Sequence, residues 1–159
     1  MDRFRKLEAY QHLVPLLLRI GVGLTFLFAG LGKVLGGVGG VAGFFGSLGI
    51  PLPGLMAPLI SYLELLGGLA LLLGVLTRPI SLLLMCNMLV AMLLVTVPAW
   101  FGAERGLIAG FSQTRVEVLL FLASACLAIT GAGVYSLDAA LFGDTGPGAH
   151  EEPVVSPAR

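Results

Sequence analysis

Four long apolar runs constrain this chain more than any other feature. They extend from Leu13 to about Gly36, from Leu55 to Leu76, from Ile80 to about Val97 and from Arg115 to about Thr130. A helix needs roughly 20 predominantly apolar residues to cross a hydrocarbon core. With 57% hydrophobic residues, 11% charged and a mean hydropathy of +1.00, the composition lies far from that of soluble domains. The fold expected is all-α and integral to a membrane. It is a four-transmembrane-helix bundle over residues 13–143, with a basic N-terminal tail over 1–12 and a flexible C-terminal tail over 144–159. A cleaved signal peptide is the competing reading of the first run, since Arg3, Arg5 and Lys6 precede it. The run is too long for a signal core, however, and Arg19 interrupts it.

The breaks between runs set the expected topology. The Gly-rich segment Gly36 to Gly54, with Phe44, Phe45 and Pro51-Leu-Pro53, reads as an interfacial loop. Thr77-Arg-Pro79 is short enough to make the second and third helices antiparallel neighbours. Pro98-Ala-Trp-Phe-Gly102 suits a headgroup belt, and Ala103 to Thr114 reads as a polar loop. Gly131-Ala-Gly133 ends the fourth helix, and Ser136-Leu-Asp138 restarts a short turn. An even number of crossings puts both termini on one side. The basic residues Arg3, Arg5, Lys6 and Arg78 on that side favour the cytoplasm.

Nine acidic residues balance nine basic ones, so charge points to no nucleic-acid partner. The lipid bilayer is the expected contact. Cys86 and Cys126 show no metal or CxxC spacing and read by default as two buried small apolar residues. No metal site is expected. Met85, Met88 and Met92 form a helical stripe that reads as packing, and His12 and His150 lie in the flanks, away from any position suited to bis-histidine haem ligation.

Ionisable residues inside spans are costly and therefore candidates for function. Glu64 falls near the middle of its run, where a short carboxylate cannot reach water and must be paired, hydrogen-bonded or protonated. Ser61 shares its face, and Asn87 lies at similar depth on the third helix. A structural Glu64–Asn87 clasp is the plainer reading, and a proton acceptor the functional one. Arg19 and Lys33 point to opposite membrane surfaces, and either could be an interfacial anchor. A Lys33–Glu117 pair is available at one surface, and Arg19 and Arg78 could meet Asp138 at the other. Charges sorted in this way would line a polar interior cleft, with two rings of snorkelling charges as the alternative. Glu64 and Lys33 are the catalytic candidates. Arg19, Ser61, Arg78, Asn87, Glu117 and Asp138 are the substrate-binding ones.

Several stretches resemble the DoxX family of small bacterial four-helix membrane proteins. They are Arg19-Ile-Gly-Val-Gly23, Phe28-Ala-Gly-Leu-Gly-Lys33, Gly43-Phe-Phe-Gly-Ser-Leu-Gly-Ile-Pro51, Glu64-Leu-Leu-Gly-Gly68, Gly74-Val-Leu-Thr-Arg78 and Ser136-Leu-Asp138. Gly131-Ala-Gly133 departs from the family's usual glycine-proline before the final Ser-Leu-Asp. The resemblance implies a bacterial cytoplasmic (inner) membrane protein tied to redox metabolism, with other redox subunits as partners. Fold membership alone does not assign a reaction. The leading expectation is a subunit that receives a quinone or another small amphiphile, with no covalently bound cofactor. The rivals are a non-catalytic anchor or assembly subunit and a small transporter; any of these could be oligomeric.

Overall fold

In a computed structural model, described for residues 10–98 and 106–142, the chain is a set of packed helices. After a 3-10 turn at Gln11–Leu13 they are α1 (Val14–Leu35), α2 (Val38–Ser47), α3 (Pro53–Leu73), α4 (Thr77–Ala91), α5 (Gly106–Thr130) and α6 (Leu137–Phe142). A π-helical segment, Met92–Thr96, extends α4. Among the described residues three segments are long and apolar enough to cross a membrane. They are Gln11–Leu35, Pro53–Leu73 and Thr77–Val95, with mean hydropathies of 2.0, 1.8 and 2.0.

Local chemistry explains the helix ends. Pro15 and Pro53 occupy first-turn positions, where a missing N–H costs nothing. α3 closes on Gly74 in the left-handed region (φ +71°). Val75 N–H reaches back to Ala70 O (2.9 Å) and Gly74 N–H to Leu71 O (3.1 Å), the paired bonds of a Schellman ending.

α1 packs most extensively against α3, and α4 against α5. The first pairing depends on small residues. A Cβ on Gly30 would lie 2.3 Å from Leu65 N, and one on Gly68 would lie 2.4 Å from Leu27 N, so the two backbones touch where any side chain would part them. Val22, Phe26, Leu71, Leu84, Met88 and Leu127 form the core between the pairs. The outward surface is apolar as well, with Leu35 at 77% and Ile129 at 78% exposure. This suits lipid rather than water as the surrounding solvent.

Several expectations need correction. The segment Gly36 to Gly54 is not merely a loop, because α2 occupies its centre and packs on α3. Val38, Val41 and Phe45 give it a half-buried face, and helical closure satisfies its backbone beside an apolar environment. The fourth helix begins at Gly106 rather than Arg115, so most of the expected polar loop is helical. Leu107, Ile108 and Phe111 make that stretch apolar enough to continue the helix. Cys86 and Cys126 are exposed on the bundle's outer face, not buried, because helical spacing turns them away from the core. The rest of the aromatic belt at Ala99 to Gly102, most of the N-terminal tail and the C-terminal tail lie outside the described residues.

Candidate functional site

The deepest charged group is centred on Glu64. It lies eleven residues into α3 from Pro53 and nine before Leu73, about 16 Å and about 14 Å from the two ends. Its side chain is 3% exposed. The close approach of α1 at Gly30 brings Lys33, one turn further along, over the carboxylate, and Lys33 Nζ forms an ion pair with Glu64 Oε2. From α4, Asn87 Nδ2 donates to Glu64 Oε1 at 3.0 Å. Three helices thus supply one cation, one carboxylate and one amide to a single buried point. The Lys33 side chain remains 32% exposed, so this end of the group is the more accessible. An isolated carboxylate at this depth would be prohibitively costly, and the ammonium and amide supply the compensation.

This arrangement overturns the expected Lys33–Glu117 pair. Glu117 is half-buried on α5, and its Oε2 has no hydrogen-bond partner among the described residues. Lys33 goes to Glu64 because glycine lets α1 and α3 approach more closely than α1 and α5 do. Ser61 shares the Glu64 face but donates to Ala57 O within its own helix (2.7 Å), so it does not bind the carboxylate.

The second polar group lies at the opposite end of the bundle. Arg19 is 2% exposed and spends its guanidinium on main-chain carbonyls. Nε donates to Leu71 O (2.8 Å), Nη2 to Leu72 O (3.0 Å), and Nη1 to Ala132 O (2.9 Å) and Tyr135 O (2.8 Å). It thereby caps the C-terminus of α3 and ties it to the turn before α6. The Asp138 carboxylate accepts from two main-chain amides. Its Oδ1 takes Leu76 N–H (2.7 Å) and its Oδ2 takes Thr77 N–H (2.8 Å), capping α4 from a distant residue. The expected Arg19–Asp138 meeting is therefore one of neighbours bound to separate backbone groups. Arg78 is exposed beside Gly131, where a Cβ would lie 2.9 Å from its Nε.

The two groups do not line one polar cleft. Arg19 and Lys33 stand fourteen residues apart on α1, about 21 Å along its axis. Two lateral grooves lie elsewhere. One, of about 600 Å³, follows α3 from Leu55 to Ala70, and the other, of about 520 Å³, lies between α1 and α5. Neither is lined by a charged residue. Residue pattern missed the carbonyls that hold Arg19, because main-chain acceptors leave no signature of their own. The nearby left-handed glycines Gly131 and Gly133 were the available hint.

Comparison with known proteins bears on what this framework belongs to. The DoxX family profile matches residues 14–97, which include Arg19, Lys33, Glu64, Arg78 and Asn87. The chain belongs to the DoxX family. A Bacillus subtilis (strain 168) protein named "Putative oxidoreductase CatD" is 35% identical over 127 residues, covering 80% of this chain and 86% of that one. No solved structure matches. The part matched by the DoxX profile holds all three members of the Glu64 group. Glu117 and Asp138 lie beyond it.

Proposed function

We propose that this DoxX protein is a redox-associated subunit of the bacterial cytoplasmic membrane, crossing it four times with both termini in the cytoplasm. In this reading the Lys33–Glu64–Asn87 group exchanges protons with a bound quinone or similar small amphiphile. The observation that carries it is a carboxylate near mid-helix, 3% exposed, held by a lysine that is itself 32% exposed. A ring carbonyl could accept a hydrogen bond from the Lys33 ammonium, and Glu64 could deliver or take the accompanying proton. Reducing a quinone to a quinol consumes two electrons and two protons. In this reading a partner redox subunit supplies the electrons. The relative named as an oxidoreductase supports this direction. The fourth crossing in this reading is α5, which at 25 residues and about 37 Å has the length for it. Its end before α6 meets the start of α1, where Gly133 lies against Pro15, as expected of a bundle with both ends on one side.

A second reading, a non-catalytic assembly subunit, is favoured by one observation: Arg19 and Asp138 spend their hydrogen bonds on the bundle's own backbone. Native mass spectrometry of protein released gently from membranes separates the two. The redox reading expects a bound quinone-sized molecule that is lost from a folded Lys33→Met variant. Protein subunits alone, with no small molecule at any detergent concentration, would instead favour assembly.

A further inference from the structure

Three hydroxyls on the α4–α5 seam are fully buried and have no hydrogen-bond partner among the described residues: Thr77 Oγ1, Ser81 Oγ and Ser124 Oγ. Helical hydroxyls ordinarily satisfy themselves on the carbonyl four residues back, and Thr25, Ser61 and Thr130 all do so here at 2.7–2.8 Å. Buried polar atoms are rarely left unpaired, and their usual unseen partner is an internal water. Ser81 and Ser124 depart from that habit inside their helices, and Thr77, the first residue of α4, has no such carbonyl within its helix, so the three call for a common explanation.

Their spacing supplies one. Thr77 and Ser81 stand one turn apart on α4, about 6 Å along the axis. Arg78 lies beside Gly131, which sets α5 antiparallel to α4. Counting from that contact, Ser81 is three residues deeper on α4 and Ser124 seven residues deeper on α5, about 4.5 Å and about 10.5 Å. Ser124 is therefore about 6 Å below Ser81. It steps across the level of Leu84, which is fully buried. Asn87, nine residues from Arg78, lies about 3 Å deeper still, and its amide donates to Glu64. Along α4 the one-turn spacing of Thr77 and Ser81, about 6 Å, is what one water spans with two hydrogen bonds of about 2.8 Å, and Ser124 offers the next hydroxyl in depth on the facing helix.

We propose that the α4–α5 seam binds a file of water molecules on Thr77, Ser81 and Ser124. The file forms a proton route from the α6 end of the bundle to the Asn87–Glu64 pair. Asp138, at the outer end, holds the Thr77 amide and so fixes the first hydroxyl at the mouth. A proton entering there passes between waters and hydroxyls by exchange of O–H bonds and is handed to the Glu64 carboxylate by the last water of the file, beside Asn87, whose amide orients the carboxylate without relaying the proton; the reaction proposed above would consume it. The route rests on that reading for its purpose, but its hydration does not depend on it.

Water-edited solid-state NMR of the full chain in liposomes tests the route directly. Magnetisation should pass early from water to Ser81, Ser124 and the Asn87 side chain, and late to Leu84 and Leu127 beside them. A Ser124→Val change should remove the early transfer to Asn87 and leave it at Ser81, while Ser124→Thr, which keeps a hydroxyl, should retain both. If Ser81 and Ser124 are as dry as Leu127 in the native protein, the proposal is overturned. So is it if Asn87 stays wet in a folded Ser124→Val protein. A dry seam would leave quinone retention untouched, so failure of the route and failure of the function are distinguishable.

Discussion

Removing Lys33 should damage this protein more than removing the residue it neutralises. In Lys33→Met, Glu64 stays 3% exposed with only the Asn87 amide at 3.0 Å for compensation. Breaking a buried ion pair in this way costs about 3–5 kcal/mol. In Glu64→Leu the surviving lysine is already 32% exposed and can extend towards a polar surface, so the cost is smaller, about 1–2 kcal/mol for the lost pairing and packing change. The double variant Lys33→Met/Glu64→Leu leaves no uncompensated charge and should fall near the Glu64→Leu value, not at the sum. The expected coupling is thus the Lys33→Met cost itself, about 3–5 kcal/mol. Equilibrium unfolding in mixed detergent micelles, followed by circular dichroism on the four proteins of the cycle, measures it. Strictly additive losses would refute the reasoning, as would a Lys33→Met protein as stable as the native one.

Two further effects follow from the packing. Gly30→Ala forces a Cβ to within 2.3 Å of Leu65 N and should part α1 from α3, cutting the yield of folded protein severely. Gly32→Ala, with nothing within 4 Å, should be neutral or stabilising by up to about 1 kcal/mol, as size-exclusion profiles and thermal melts would show. Arg19→Lys keeps the charge but cannot donate from three nitrogens to four carbonyls, so it should lower stability by about 2–4 kcal/mol in the same detergent assay; a Lys variant with an unchanged melt would remove the capping role.

Depth was legible in the residue pattern, whereas neighbourhood was only partly so. Glu64 and Asn87 share a level because each sits a countable number of residues from a helix end, and the hydrogen bond between them follows once α3 and α4 are antiparallel. Lys33 also has a readable depth, but its partner depends on which helix comes nearest. That depends on Gly68, whose place one turn from Glu64 already marks it as a close-approach position, and on Gly30, whose contact with the α3 backbone shows only in three dimensions. Arg19 illustrates a different limit, since a guanidinium bound to carbonyls has no side-chain partner for spacing to reveal. In the Gly36–Gly54 segment, glycine content suggested a break, yet an apolar setting rewards any segment that closes its own backbone bonds, and α2 forms. Asp138 was identified as a candidate, but its task is to cap α4 from the far end of the fold.

The central claim is that Glu64 exchanges a proton rather than merely joining three helices, and Glu64→Gln tests it most directly. An amide keeps the shape: its oxygen accepts from Lys33 and, with the Asn87 amide turned over, its NH2 donates to Asn87 Oδ1, but it cannot titrate. The measurement is growth under thiol or peroxide stress of cells lacking the native copy and carrying the variant, with membrane content and detergent melting determined on the same protein. The account predicts a Glu64→Gln protein that is folded, inserted and unable to restore growth. Full restoration by that variant would contradict proton exchange and leave the carboxylate with a purely structural role.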